Sequence, residues 1–168
     1  PIGFSCIEMA IVAGAGRIIV SELVPYQRAK ALEIGADAVI DPVNENLVER
    51  VRELTGGRMC DCAIEATGNG SAIADAVLCL RRGGRAVWVG MGKPTAQIPH
   101  AEVIKREATI LGVYRYANDF EPVVRLLEAG RLKPERWVSH HFPLERIVEA
   151  ITTAANPKVE RLKIVVTT

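Results

Sequence analysis

Glu22 is the acid whose surroundings suggest recognition chemistry. It follows a short apolar run, Ile18-Ile19-Val20, and precedes a segment opened by Pro25. A carboxylate at a strand tip only accepts hydrogen bonds, which suits the two hydroxyls of a ribose and repels a 2′-phosphate. Gly3 stands nineteen residues before Glu22, close to the roughly 20 expected between a phosphate-loop glycine and the ribose acid of a dinucleotide fold. A glycine there lets a helix start approach a pyrophosphate, where unpaired N–H groups and the helix dipole favour negative charge. Ile2 would pack beneath the same group. This pattern points to NAD rather than NADP.

The elements that must place these residues can be read around them. Pro25 suits a first helical turn, where its missing N–H would be unpaired anyway. Gly35 suits a left-handed helix end, and a second strand is expected over 38–41. Strand, helix and strand in about thirty residues make a βαβ unit. Ahead of it, residues 3–13 are apolar apart from Ser5 and Glu8, predicting a helix buried on most sides. Gly14-Ala15-Gly16 follows a helix and precedes a strand. A phosphate loop has the reverse order, so these glycines are read as a turn.

Further along, the periodicity predicts helices over 45–54, 71–80 and 101–105, and strands over 61–65, 86–90 and 109–113. Arg81-Arg82-Gly83-Gly84 is read as a turn. Past a soft boundary near Ala117, a helix over 119–129, a strand over 138–142, a helix over 144–155 and a strand over 162–166 follow. The first part thus has five strands, starting near Ile18, Ala38, Cys62, Ala86 and Thr109. The expected class is α/β, a doubly wound (Rossmann) parallel sheet of order 3-2-1-4-5-6 that lacks its first strand. Two buried rows of unpaired backbone groups would cost about 1–3 kcal/mol per group, against a typical total stability of about 5–15 kcal/mol. The chain is therefore expected to form part of a longer polypeptide.

The 168 residues are 49% hydrophobic and 24% charged with net charge +1, as in an ordinary soluble domain. The basic residues are scattered, which excludes a nucleic-acid stripe or a polybasic membrane segment. No apolar run reaches transmembrane length, and no charged-then-apolar secretory leader is expected; free thiols in a reducing compartment make cytoplasm the expectation. Cys6, Cys60, Cys62 and Cys79 lack disulfide-framework spacing and are expected as buried free thiols. Adjacent His140 and His141 on a strand face opposite ways and cannot chelate one ion, and no metal role is expected for His100. Tyr114 and Tyr116, as alternate residues, are expected on one face.

Six segments together carry a resemblance. They are Pro1-Ile2-Gly3; Ile34-Gly35-Ala36-Asp37; Glu65-Ala66-Thr67-Gly68; Gly83-Gly84-Arg85 leading to Val89-Gly90-Met91-Gly92; Arg106-Glu107 leading to Gly112-Val113-Tyr114-Arg115-Tyr116; and His141-Phe142-Pro143-Leu144. In this order they resemble the zinc-dependent medium-chain alcohol dehydrogenases, most closely the sorbitol (polyol, L-iditol) and threonine dehydrogenase branch. The resemblance implies that residues 1–117 form the coenzyme domain and 118–168 a tail returning to a barrel-type catalytic domain. That barrel, with the ligands of the catalytic zinc, would lie outside this chain.

By the same resemblance, Val89, Gly90 and Met91, together with Val113, Tyr114 and Arg115, would meet the nicotinamide end of NAD. Arg115 and Tyr116 would reach the substrate's hydroxyls. Gln27 stands where the family often has arginine, with Arg28 beside it. The implied reaction is hydride transfer from a polyol or other secondary alcohol to NAD, in a dimer or tetramer. Rival readings are a zinc-free NADPH-linked quinone or enone reductase, a dinucleotide-sensing module and a methyltransferase. The first of these predicts a basic or small residue in place of Glu22.

Overall fold

A computed structural model describes residues 1–168. The backbone forms two compact units, one comprising 1–39 and 122–168, the other 40–121. No helix is long and apolar enough to cross a membrane.

The first unit opens with α1 (Ile2–Val12), β1 (Ile19–Ser21) and α2 (Pro25–Ile34), and β2 (Ala38–Ile40) closes the βαβ segment beside β1. Pro25 occupies the first turn of α2 and Gly35 ends it at φ +129°. A Cβ on Gly35 would lie 2.8 Å from Ile11 Cδ1, so the glycine also permits α2 to close on α1. The turn at Gly14 (φ +78°) joins α1 to β1 as the sequence predicts. The core consists of Phe4, Ile7, Ala31, Ile34 and Ala36, and Trp137 and Leu162 from the tail pack against it.

The tail supplies α6 (Phe120–Glu128), β6 (Val138–Pro143), α7 (Ile147–Ala155) and β7 (Lys163–Thr167), with β6 and β7 paired in parallel. The expected helix over 144–155 opens as a 3-10 turn, Leu144–Arg146, before α7 begins.

The helix α1 departs from the expected burial. Phe4, Ile7 and Glu8 are buried, whereas Ile2, Met9 and Ile11 are exposed. The one acid of the helix faces inward. Its oxygens accept the Lys133 N–H at 3.2 Å and the Trp137 indole N–H at 3.1 Å, which satisfies a group too costly to bury unpaired.

The second unit runs α3 (Leu47–Leu54), β3 (Cys60–Glu65), α4 (Gly70–Leu78), β4 (Leu80–Trp88), α5 (His100–Arg106) and β5 (Thr109–Gly112). Asn46 caps α3, accepting from the Glu49 N–H at 3.1 Å, so the helix starts two residues later than predicted. Strands β3, β4 and β5 form a parallel sheet in that order over a core of Val77, Leu80 and Ala86.

Removing the first strand from the order 3-2-1-4-5-6 leaves a pair and a triplet. The observed sets, β1–β2 and β3–β4–β5, match that Rossmann-like division.

One strand reading is corrected. Leu80 pairs with Cys60, while Arg85 pairs with Cys62. The Arg81–Gly84 turn therefore bulges out of β4 instead of preceding it. Asp61, exposed beside the bulge, is bonded by Arg81 and Arg58. These guanidinium groups hold its carboxyl below the usual range.

The thiols are also less uniform than expected: Cys79 is buried, Cys6 and Cys60 are half-buried, and Cys62 is exposed. Cys62 stands where the ladder resumes after the bulge, paired with Arg85.

Candidate functional site

Glu22 lies just past β1, half-buried. Its Oε1 accepts the Val24 N–H at 2.9 Å, an arrangement that fixes the carboxylate next to the start of α2. One Nη of Arg28 donates to the main-chain oxygens of both Glu22 and Leu23 at 2.8 Å. Arg28 thus braces the turn that presents the acid. Gln27 is half-buried on the same helix.

The mouth of α1 has Pro1 at its N-cap and Ile2 and Gly3 in its first turn. Ile2 is exposed at this mouth, and a Cβ on Gly3 would meet nothing within 4 Å. A glycine in a helix costs roughly 0.5–1 kcal/mol relative to alanine, and no neighbouring atom demands one at this position. Helix N–H groups at such a start suit an anion.

The second unit carries the other sequence-predicted residues at the carboxyl ends of its strands. Val89 and Gly90 are half-buried past β4, and Met91 is exposed. Val113, Tyr114, Arg115 and Tyr116 are exposed past β5. The expectation that Tyr114 and Tyr116 share a strand face is corrected. β5 ends at Gly112, and Arg115 takes a left-handed φ of +60°, which ends the period-two alternation. The Arg115 guanidinium instead lies 4.9 Å from the Tyr114 ring centre, and Tyr116 meets Phe120 edge-on at 5.8 Å.

Gly68, Gly90 and Gly92 serve loop packing. A Cβ on Gly90 would lie 2.1 Å from the Gly68 nitrogen, and one on Gly68 would lie 2.5 Å from the Gly92 nitrogen. The segments after β3 and β4 therefore touch backbone to backbone.

Comparison with known proteins is decisive at this point: a family model described as zinc-binding dehydrogenase matches residues 1–129. The chain belongs to that family. It is 32% identical over 158 residues to the sorbitol dehydrogenase of Bombyx mori, covering 92% of this chain and 45% of that protein. It is 33% identical over 169 residues to the L-arabinitol 4-dehydrogenase of Aureobasidium melanogenum, covering 98% of this chain and 46% of that one. Among solved structures, a short chain alcohol dehydrogenase from Escherichia coli CFT073, complexed with the cofactor NADH, superposes with a TM-score of 0.91 at 25% identity. That match covers 100% of this chain and 50% of the other. The chain thus spans about half the length of these relatives.

For a zinc-binding dehydrogenase, this chain brings no cluster of three or more His, Cys, Asp or Glu side chains together in a metal-holding group. His140 is half-buried with its ring stacked on Phe142 at 6.4 Å, and His141 is exposed. The residues present do not fit the zinc that the family's description names.

Sequence reasoning gave no role to two acids that the fold buries, Glu8 and Glu65. For Glu8 a signal existed: Phe4, Ile7, Glu8 and Ile11 fall at the i, i+3, i+4, i+7 spacing of one helix face. For Glu65 the signal was its place at the end of an apolar strand, immediately before the small-residue turn.

Proposed function

We propose that this chain is the NAD-binding part of a zinc-dependent oxidoreductase that moves a hydride from a polyol or other secondary alcohol to NAD. The observation that carries the reading is Glu22, braced at the tip of β1, with Gly3 in the first turn of α1. In a dinucleotide fold these are the places for a ribose and a pyrophosphate. Similarity to sorbitol and L-arabinitol dehydrogenases supports a polyol as substrate, and the NADH held by the E. coli neighbour supports the cofactor.

Residues 1–117 are the coenzyme-binding segment in this reading, and 118–168 return to a barrel-type catalytic domain that supplies the zinc ligands. Ile2, Gly3, Glu22 and Gln27 serve the adenine-nucleotide end. Val89, Gly90, Met91, Val113, Tyr114 and Arg115 serve the nicotinamide end, with Arg115 and Tyr116 also reaching the substrate's hydroxyls. The cofactor accepts the hydride; this chain's share is to bind and orient it. The small alcohol substrate, the dimeric or tetrameric assembly and the cytoplasmic setting belong to the same proposal.

Equilibrium dialysis of the chain against NAD, NADP and S-adenosylmethionine tests the reading. Weak binding of NAD in preference to the other two, without turnover of a polyol, is expected. A preference for NADP or S-adenosylmethionine would overturn the cofactor assignment. Polyol oxidation by the chain alone would overturn the division of labour.

A further inference from the structure

We propose that Glu65 is a positioning residue, whose buried carboxylate fixes the turn after β3 against which the segment after β4 packs, and so sets the surface that meets the nicotinamide end of the cofactor. The inference rests on the cofactor reading above and adds to it a residue that touches neither cofactor nor substrate.

Glu65 is 3% exposed. Its Oε1 accepts the Thr67 N–H at 2.6 Å, the Thr67 hydroxyl and the Gly68 N–H at 2.9 Å, and its Oε2 reaches the same Gly68 N–H at 3.1 Å. With its hydrogen directed at Glu65, the Thr67 hydroxyl oxygen accepts the Asn69 N–H at 3.0 Å. Asn69 in turn caps α4 through the Ser71 N–H at 2.9 Å. One carboxylate therefore organises the whole turn between β3 and α4.

The main chain of the same residue holds the other segment. The Glu65 carbonyl accepts the Val89 N–H at 2.8 Å and the Gly90 N–H at 3.0 Å. A Cβ on Gly90 would lie 2.7 Å from Glu65 Oε2, so the carboxylate also backs directly onto that segment. A buried carboxylate is costly unless its lone pairs are satisfied, and a turn alone could be closed by a neutral Asn or Ser. An acid takes the Thr67 N–H, the Thr67 hydroxyl and the Gly68 N–H at once, and the turn so fixed is the one that Gly90 and Gly92 pack against. Those segments stand past the carboxyl ends of adjacent parallel strands, where ligands bind in open α/β sheets.

The test compares NADH with ADP-ribose, which lacks the nicotinamide, on the full-length polypeptide that carries this chain and on its Glu65→Gln and Glu65→Ala variants. Glu65→Gln keeps the size but turns one acceptor into a donor beside the Gly68 N–H. NADH affinity is expected to fall about tenfold in Glu65→Ala, or roughly 1.4 kcal/mol, and by a smaller factor in Glu65→Gln. ADP-ribose affinity should hold within about twofold in Glu65→Gln, the variant that keeps the fold best.

An NADH-to-ADP-ribose ratio unchanged in Glu65→Gln would overturn the inference while leaving the cofactor reading intact. Failure of the unaltered full-length polypeptide to bind either compound would remove the cofactor reading, and this inference with it.

Discussion

Gly92 and Gly68 stand so close that no side chain fits at either. A Cβ on Gly92 would lie 1.8 Å from the Gly68 carbonyl oxygen, and Gly68 itself takes a left-handed φ of +72°. The obstacle is backbone, which cannot swing aside as a side chain could. Gly92→Ala should therefore destabilise the chain by about 1–3 kcal/mol, the usual cost of forcing atoms into a packed site. Gly112→Ala is the control, since its Cβ would meet nothing within 4 Å, and its effect should stay within about 0.5 kcal/mol. Urea midpoints at constant slope distinguish the two. Equal midpoints would mean that the two segments separate freely.

The contrast between these glycines shows what the sequence could disclose. Glycine past a strand end reads as room for a ligand. For Gly90 and Gly92 the room is taken by another loop. That depends on a neighbour some twenty residues away, which no local pattern encodes. Pro25, Gly35 and the alternation of strands and helices were legible because each acts through its own backbone. The inward turn of Glu8 and the bulge at Arg81–Gly84 were not, because both answer to partners distant in sequence.

The tail should prove to be held to α1 through Glu8. Glu8→Ala would leave the Trp137 indole N–H and the Lys133 N–H without the acceptor they share, at about 1–3 kcal/mol. Trp137→Phe removes the indole donor while keeping an aromatic ring. A double-mutant cycle should then return a coupling of about 0.5–3 kcal/mol. Strict additivity would show that the bond contributes nothing.

Stability should decline in alkali through Cys79. Burial, ahead of the neighbouring Cys60 and Asp75, pushes its thiol up from 9.0 to about 12. Between those values the unfolded chain has lost a proton that the folded chain keeps, so unfolding becomes easier as pH rises. The contribution is whole below pH 9 and fades towards 12. Cys79→Ala should flatten the slope of unfolding free energy against pH above 9 by up to about 1.4 kcal/mol per pH unit. Cys62→Ala, at an exposed thiol, should alter it much less. Parallel slopes in Cys79→Ala and the unaltered chain would contradict the burial that the fold gives this residue.

Cofactor choice should turn on the charge at position 22. With Oε1 engaged by the Val24 N–H, the carboxylate still offers Oε2 to a ribose hydroxyl and opposes a 2′-phosphate. Glu22→Gln keeps the size and the acceptor for Val24 but removes the repulsion. NAD binding should weaken modestly, by about 0.5–1.5 kcal/mol for a lost charged acceptor near solvent, while NADP binding improves. Glu22→Ala also releases the Val24 N–H and should weaken both cofactors without favouring NADP as strongly. Competition dialysis with the two nucleotides reads the ratio directly. A ratio indifferent to Glu22→Gln would place the ribose elsewhere, because a charge beside a 2′-phosphate cannot be removed without changing the discrimination it provides.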